Sequence, residues 1–261
     1  MTEHSIALEA ARAAGDILCA HFEKVTISQK ASHNLLTEAD LLSEQAVREI
    51  IRNAFPDHSF IGEETAAGND LSAENLWIVD PLDGTTNYAH GIPHFSVSIA
   101  YAHRGEVKAA VVFDPLRREL FHAVKGDGAF LNDKPMNVST RATVPEALVI
   151  TGFYYDREET AGPTIDTLKK LFRANIRDMR RTGSAALDCA WVACGRCDAY
   201  YEYNLSVWDY AAGMLLVREA GGKCFDRLGN ELALGSTGVV AVSRVLAEPV
   251  MEIVRWDSAG K

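Results

Sequence analysis

The densest concentration of chemically capable side chains is Trp77-Ile78-Val79-Asp80-Pro81-Leu82-Asp83-Gly84-Thr85-Thr86-Asn87. An apolar run delivers Asp80 to its end, where Pro81, lacking an N–H, is expected to stop sheet pairing. The turn that follows is short enough to let Asp83 face the same spot. Gly84 permits close backbone approach, and Thr85-Thr86 is placed to begin a helix whose free N–H groups point at an anion. Carboxylates beside such amides make sense if a hard divalent cation bridges the two negative charges. Mg²⁺ fits that description, because it takes carboxylate, carbonyl and water oxygens and coordinates phosphate.

Two further acidic sites are candidates to complete the centre. Glu63-Glu64 ends the apolar stretch Phe60-Ile61-Gly62, and adjacent carboxylates at a strand end are costly without a counter-ion. Asp209 follows Trp208 at the start of the apolar helix Ala211 to Val217, near its positive end. Singly, an Asp-Pro is ordinarily a turn, a Glu-Glu a solvated edge and a Trp-Asp a helix cap. Their combination argues for a site.

The elements that must position these residues fall into two styles. Ser5 to Phe22 reads as a helix with Ile6, Ala10, Ala13 and Ile17 on one face. Thr37-Glu38-Ala39-Asp40 resembles a capping box and opens a second helix with the stripe Leu42, Ala46, Val47, Ile50 and Ala54. Phe95 to Tyr101, Glu106 to Phe113 and Glu119 to Val124 form an antiparallel meander separated by turns. Lys125-Gly126-Asp127-Gly128 reads as a hairpin loop, not a dinucleotide fingerprint, since Leu131 replaces the third glycine. The second half alternates: strands at Ala147–Gly152, Asp178–Arg181, Asp198–Tyr203, Lys223–Asp226 and Val239–Ser243 interleave with helices at Thr164–Phe172, Ser184–Ala193 and Trp208–Glu219. Alternation implies a partly parallel sheet. The fold class is therefore layered α/β, with halves 1–140 and 141–261 and a cleft between them.

Composition narrows the partners. A net charge of −10 disfavours nucleic-acid or anionic-membrane binding, and makes cations necessary for a phosphate to enter an acidic pocket. Met1 to Ala10 has no basic start leading into an apolar run, and no apolar stretch approaches the roughly 18 residues of a membrane span. The 5 cysteines lack a disulfide-framework spacing, which suits a reducing cytosol and a cytoplasmic location. Cys194-Gly195-Arg196-Cys197 follows an apolar helix without a second pair, so it reads as structural thiols.

Asp80-Pro-Leu-Asp-Gly-Thr-Thr-Asn matches the D-P-[IL]-D-G-T-T-N signature without mismatch, and Trp208-Asp209-Tyr-Ala-Ala-Gly, running on to Glu219-Ala-Gly-Gly, matches a second. With Gly62-Glu63-Glu64 and Arg181-Thr-Gly-Ser-Ala-Ala-Leu-Asp188, the chain resembles the inositol monophosphatase family over nearly its whole length. The likeness is closest to the bacterial branch first known as extragenic suppressors. The resemblance implies an αβαβα sandwich with an antiparallel N-terminal sheet and a mixed or parallel C-terminal one. It also implies a phosphatase using two to three Mg²⁺ ions. Glu63, Asp80 and the Leu82 carbonyl would hold one; Asp80, Asp83 and Asp209 a second; Glu63 would contribute to a looser third. Glu63 and Thr85 would orient the attacking water, with Asp83 also in the catalytic set. Gly84 and Thr85 would receive the phosphate. Asp83, Ser184, Ala185, Glu202 and Asp209 would hold the alcohol, Glu202 accepting hydroxyl hydrogen bonds from a polyol. Asn34 stands where the family pattern has an aspartate, and Lys30 is read as a loop residue near the cleft.

Inositol monophosphate is the favoured substrate. Histidinol phosphate is the main rival, and fructose bisphosphate and nucleotide 3′-phosphates would need insertions this chain lacks. Family likeness further implies a homodimer and inhibition by lithium. A different class of role, binding to the transcription machinery, has a basic stretch in its favour: Arg173, Arg177, Arg180 and Arg181.

Overall fold

A computed structural model describes residues 1–24, 27–31, 34–65, 70–153 and 157–257, with the backbone alone for 27–31, 34–36 and 157–158. In chain order come α1 (Glu3–His21), β1 (Ile27–Ala31), β2 (Asn34–Thr37), α2 (Glu38–Ala54), β3 (Ser59–Gly62), β4 (Asn75–Asp83) and α3 (Thr85–Ala89). The meander follows as β5 (Ser96–His103), β6 (Glu106–Asp114), β7 (Glu119–Val124), β8 (Gly128–Leu131) and β9 (Lys134–Pro135). Then come β10 (Leu148–Thr151), α4 (Arg157–Arg173), β11 (Asp178–Arg180), α5 (Ala185–Ala193) and β12 (Ala199–Glu202). The last elements are α6 (Val207–Glu219), β13 (Lys223–Phe225), β14 (Val239–Val242) and α7 (Ala247–Val254).

Period-two patterning sorts these elements into five layers. On β4, Trp77 and Val79 join the cluster that holds Ile6, Ala10 and Val47 of α1 and α2, while Leu76 and Ile78 join the one that holds α5 and α6. On β12, Tyr200 faces α5 and α6, while Tyr201 meets Val250 and Val254 of α7. The seven-stranded and five-stranded sheets are therefore covered on both faces, which is why their strands read as continuous apolar runs. The result is an αβαβα sandwich. The middle helix α6 is buried nearly all round, as a helix between two sheets must be. Gly213 is what lets it approach α5, since a Cβ there would overlap the Cys189 side chain.

Several sequence expectations need correction. The N-terminal sheet, ordered β3-β4-β5-β6-β7-β8-β9, is antiparallel except that β3 runs parallel to β4. The C-terminal sheet, β11-β10-β12-β14-β13, is mixed as expected. Strand β4 does not stop at Pro81 but continues to Asp83. Helix α4 starts well before Thr164 and contains Pro163. The stripe on α2 is rotated: Asp40, Ser43, Glu44, Val47 and Ile51 are buried, while Leu42, Ala46, Ile50 and Ala54 are only partly so. On α1 likewise, Ala14 and Leu18 lie in the core and Ala13 and Ile17 at its edge. The Thr37–Asp40 capping box forms, with the Thr37 N–H donating to Asp40 Oδ2 at 2.8 Å. Cys194 and Cys197 are free thiols, raised in pKa by burial, the opposite of an activated redox pair. Among the described residues no helix is long and apolar enough to cross a membrane.

Candidate functional site

The site begins with a bulge in β4. Asp80 pairs with Ser98 and Asp83 with Ser96, so β4 spends one more residue than β5 over the same span. Pro81 sits inside the bulge, where a missing donor costs no ladder bond. The bulge turns the chain enough for the Leu82 N–H to donate to Asp80 Oδ1 at 3.0 Å and for the Leu82 carbonyl to accept from Thr85 Oγ1 at 3.0 Å. Gly84 then caps α3 at φ 96°, left-handed backbone that favours glycine. A Cβ there would also lie 3.1 Å from the His94 carbonyl and 3.2 Å from that of Gly183. Asn87 closes the motif by donating through Nδ2 to the His94 and Thr182 carbonyls at 2.8 and 2.9 Å, tying it to the C-terminal half.

Asp83 links the end of β4 to α5. Its Oδ2 accepts from Ser184 Oγ and from the Ala186 N–H at 2.8 Å, and its Oδ1 from the Ala185 N–H at 3.2 Å. It thus caps α5 and meets the positive end of that helix. Ser184 and Ala185, expected to face the substrate alcohol, spend these donors on Asp83.

Glu63 is set by α2. The Glu63 N–H donates to the Val79 carbonyl at 3.1 Å, extending the β3–β4 pairing by one residue. Buried Glu44 accepts from the Glu64 N–H at 2.8 Å and from Thr65 Oγ1. Gly62 makes this possible, because a Cβ there would overlap the Glu44 carboxylate. Asp209 lies in the first turn of α6, where its Oδ2 accepts the Ser206 N–H at 2.7 Å. Thr85 Oγ1 also lies 3.4 Å from Oδ1 of the fully buried Asp40.

The electrostatics mark this region out. Burial pushes Asp80 well above the usual carboxylate range, and the charges of Glu63, Asp83 and Asp209 push it further. Asp209 is raised well above that range by burial, then by Glu63 and Asp83. Asp83 is raised by burial despite the opposing hydrogen bonds from Ser184, Ala186, Ala185 and Ser96. Among the described residues no Lys, Arg or His forms an ion pair with Asp80, Asp83 or Asp209. Buried like charges cannot all ionise without a cation among them. The donors are hard oxygens, the set that suits Mg²⁺ rather than a softer metal. Among the described residues, no three His, Cys, Asp or Glu side chains already form a ready metal cage. The acids share one field before they share one point.

Asp83, Gly84, Thr85, Ser184, Ala185, Glu202 and Asp209 line one small cleft; Glu63 and Asp80 are not on its wall. Glu202 is buried, and burial raises its carboxyl to about 7, against the Tyr200 hydroxyl that donates to Oε2 at 2.7 Å and the charge of Arg181. A Cβ at Gly152 would overlap that carboxylate. A larger groove of about 960 Å³ between α1 and the β6–β7 region has no such cluster, so charge rather than size identifies the site.

Sequence reasoning gave no site role to Asp40, Glu44, Arg181 or Asp188. The first two were detectable as acids on the face of α2 that carries Val47 and Ile51. Arg181 was grouped with an exposed basic run, yet it lines the cleft beside Asp188, a carboxyl raised well above its usual range by burial. Arg180 pairs with Asp178 at 2.7 Å. The side chains of Lys30 and Asn34 lie outside the described residues, while their backbone belongs to β1 and β2.

Comparison with known proteins agrees with the motif reading. A family model described as the inositol monophosphatase family matches residues 2–257. The chain is 42% identical over 245 residues to the Nus factor SuhB of Pseudomonas aeruginosa, covering 91% of this chain and 90% of the relative. Among solved structures it is similar to the extragenic suppressor protein suhB of Bartonella henselae, with TM-score 0.89, 35% identity and coverage of 96% and 97%. It is similar also to the inositol monophosphatase of Anabaena (Nostoc) sp. PCC 7120, with TM-score 0.86, 39% identity and coverage of 96% and 94%.

Proposed function

The chain belongs to the inositol monophosphatase family, and from that premise we propose that it is a Mg²⁺-dependent phosphatase of small phosphomonoesters, with inositol monophosphate as substrate. The observation that carries this reading is the convergence of Asp80, Asp83 and Asp209 with Glu63: burial raises all three aspartates, and the charges of Glu63 and Asp83 raise Asp80 and Asp209 further. Glu63, Asp80 and the Leu82 carbonyl would hold one Mg²⁺, and Asp80, Asp83 and Asp209 a second, with Glu63 serving a third. Bound there, the ions supply an activated water and charge stabilisation of the leaving alkoxide.

The chain's own residues do the rest. The Thr85 hydroxyl hydrogen is directed at the Leu82 carbonyl and Asp40, so its lone pairs are left to accept from a water. With Glu63 it orients that water. Gly84 and the Thr85 N–H at the start of α3 receive the phosphate. Glu202, titrating near neutrality between Tyr200 and Arg181, exchanges hydrogen bonds with polyol hydroxyls. Lithium inhibition, a homodimer and a cytoplasmic location belong to the same reading.

The test is hydrolysis of inositol 1-phosphate and histidinol phosphate by the purified protein during a Mg²⁺ titration. Strict Mg²⁺ dependence with preference for the inositol ester is expected. Preference for histidinol phosphate, whose amine Glu202 would also hold, would change the substrate assignment, and hydrolysis without divalent ions would overturn the reading. A second role, binding transcription machinery, is supported by the Nus factor name of relatives and by exposed Arg173, Arg177 and Arg180. Pull-down with Asp83→Asn separates the two, because a distinct binding role survives loss of the phosphatase.

A further inference from the structure

A different pair of metal-ligating side chains joins the first turn of α1 to β7. His122 Nε2 lies 2.9 Å from the Asn132 carbonyl oxygen. A carbonyl can only accept, so Nε2 carries the hydrogen and Nδ1 keeps its lone pair. That nitrogen faces His4 Nε2 at 3.2 Å. Phe130 stacks on the His122 ring, with centroids 5.5 Å apart and 14° between planes, and holds it in that orientation. Both histidines are partly open to solvent. Burial and His122 lower the pKa of His4, and exposed Asp127, in the turn after β7, acts on it in the opposite sense, which puts a carboxylate within electrostatic reach.

These features match what a borderline metal ion requires. Two imidazole nitrogens bound to one tetrahedral Zn²⁺ at about 2.0–2.1 Å stand roughly 3.3–3.4 Å apart. The observed spacing of 3.2 Å therefore needs little movement, once the His4 hydrogen that bridges the two nitrogens passes to its own Nδ1. A backbone carbonyl on the far nitrogen is the common outer partner of a metal-bound histidine, since it fixes the tautomer and the ring. Imidazoles select Zn²⁺, Ni²⁺ or Cu²⁺ over Mg²⁺, so this pair and the acids of the cleft answer to different ions.

We propose that His4 Nε2 and His122 Nδ1 bind a divalent transition ion such as Zn²⁺, with water completing its shell, and that the ion clips α1 to the N-terminal sheet. The assignment does not depend on the phosphatase reading. It is tested by calorimetric titration of Zn²⁺ into the full-length protein in saturating Mg²⁺, comparing wild type with His4→Gln and His122→Gln. One Zn²⁺ equivalent is expected in wild type, weakened more than about tenfold in each variant, with any hydrolytic activity unchanged. Absence of that equivalent from wild type, or equal affinity in all three proteins, overturns the proposal. Should a variant fail to fold, the Cu²⁺ electron paramagnetic resonance spectrum of wild type decides: coupling to two nitrogens supports the site, and oxygen ligation alone rejects it.

Discussion

Replacing Glu202 by Gln isolates one buried proton with little change of shape. Burial raises the Glu202 carboxyl from 4.5 to about 7, outweighing the Tyr200 hydrogen bond and the Arg181 charge. The difference, about 7 minus 4.5, is roughly 2.5 units, or about 3.4 kcal/mol at 1.36 kcal/mol per unit. Only 7% of the residue is exposed, so solvent screening removes little of that figure, which stands as an upper bound. The native state keeps a proton that the unfolded chain releases above pH 4.5. The group's contribution to stability is thus complete below that pH and lost as pH rises through about 7. Urea unfolding of wild type and Glu202→Gln in EDTA, from about pH 5.5 to about 8, measures the difference. Relative to the variant, wild type should lose stability at up to about 1.4 kcal/mol per pH unit below pH 7, then level off. The amide can still accept from the Tyr200 hydroxyl, so that bond does not confound the comparison. Parallel stability curves would show that Glu202 is an ordinary carboxylate and refute the reasoning.

Three other substitutions probe the surroundings. Gly62→Ala drives a methyl into the Glu44 carboxylate and should cost about 1–3 kcal/mol; it should also lower kcat through misplaced Glu63, and unchanged stability and kinetics would free Gly62 from this role. Gly152→Ala displaces Glu202, so KM for a polyol phosphate should rise several-fold more than kcat falls, a split read directly from steady-state kinetics. Asp80→Asn removes a buried charge while Oδ1 can still accept the Leu82 N–H. Without metal at about pH 8 it should be at least about 1 kcal/mol more stable than wild type in denaturant titrations, whereas added Mg²⁺ should raise the Tm of wild type alone.

Local sequence signals carried much of this architecture. The capping box at Thr37–Asp40, the helices α5 and α6, and the crowding of Asp80, Asp83 and Gly84 all depend on neighbours a few residues apart. What failed depends on distant partners. Pro81 reads as a strand end, yet pairing with β5 resumes at Asp83 because a bulge absorbs the proline. The parallel β3–β4 pair cannot be inferred from β3, whose short apolar stretch suits either direction. Helix α7 was overlooked although Ala247, Val250 and Val254 repeat at helical spacing, being short and at the end of the chain. On α2 the search for an apolar stripe passed over Asp40 and Glu44, because acids on a core-facing surface make sense only once Thr85 and the Glu63–Thr65 turn are seen against them. Arg181 was hidden for the same reason: its charge belonged to a run in sequence but to the cleft in space.

Anomalous diffraction from crystals of the protein grown or soaked with Mn²⁺ tests the metal centre most directly. The account predicts peaks at coordination distance from Asp80, Asp83, Asp209 and Glu63, the one shared by Asp83 and Asp209 being lost in Asp83→Asn. Crystals that show no anomalous density among those carboxylates, at a Mn²⁺ concentration that supports hydrolysis, would contradict it.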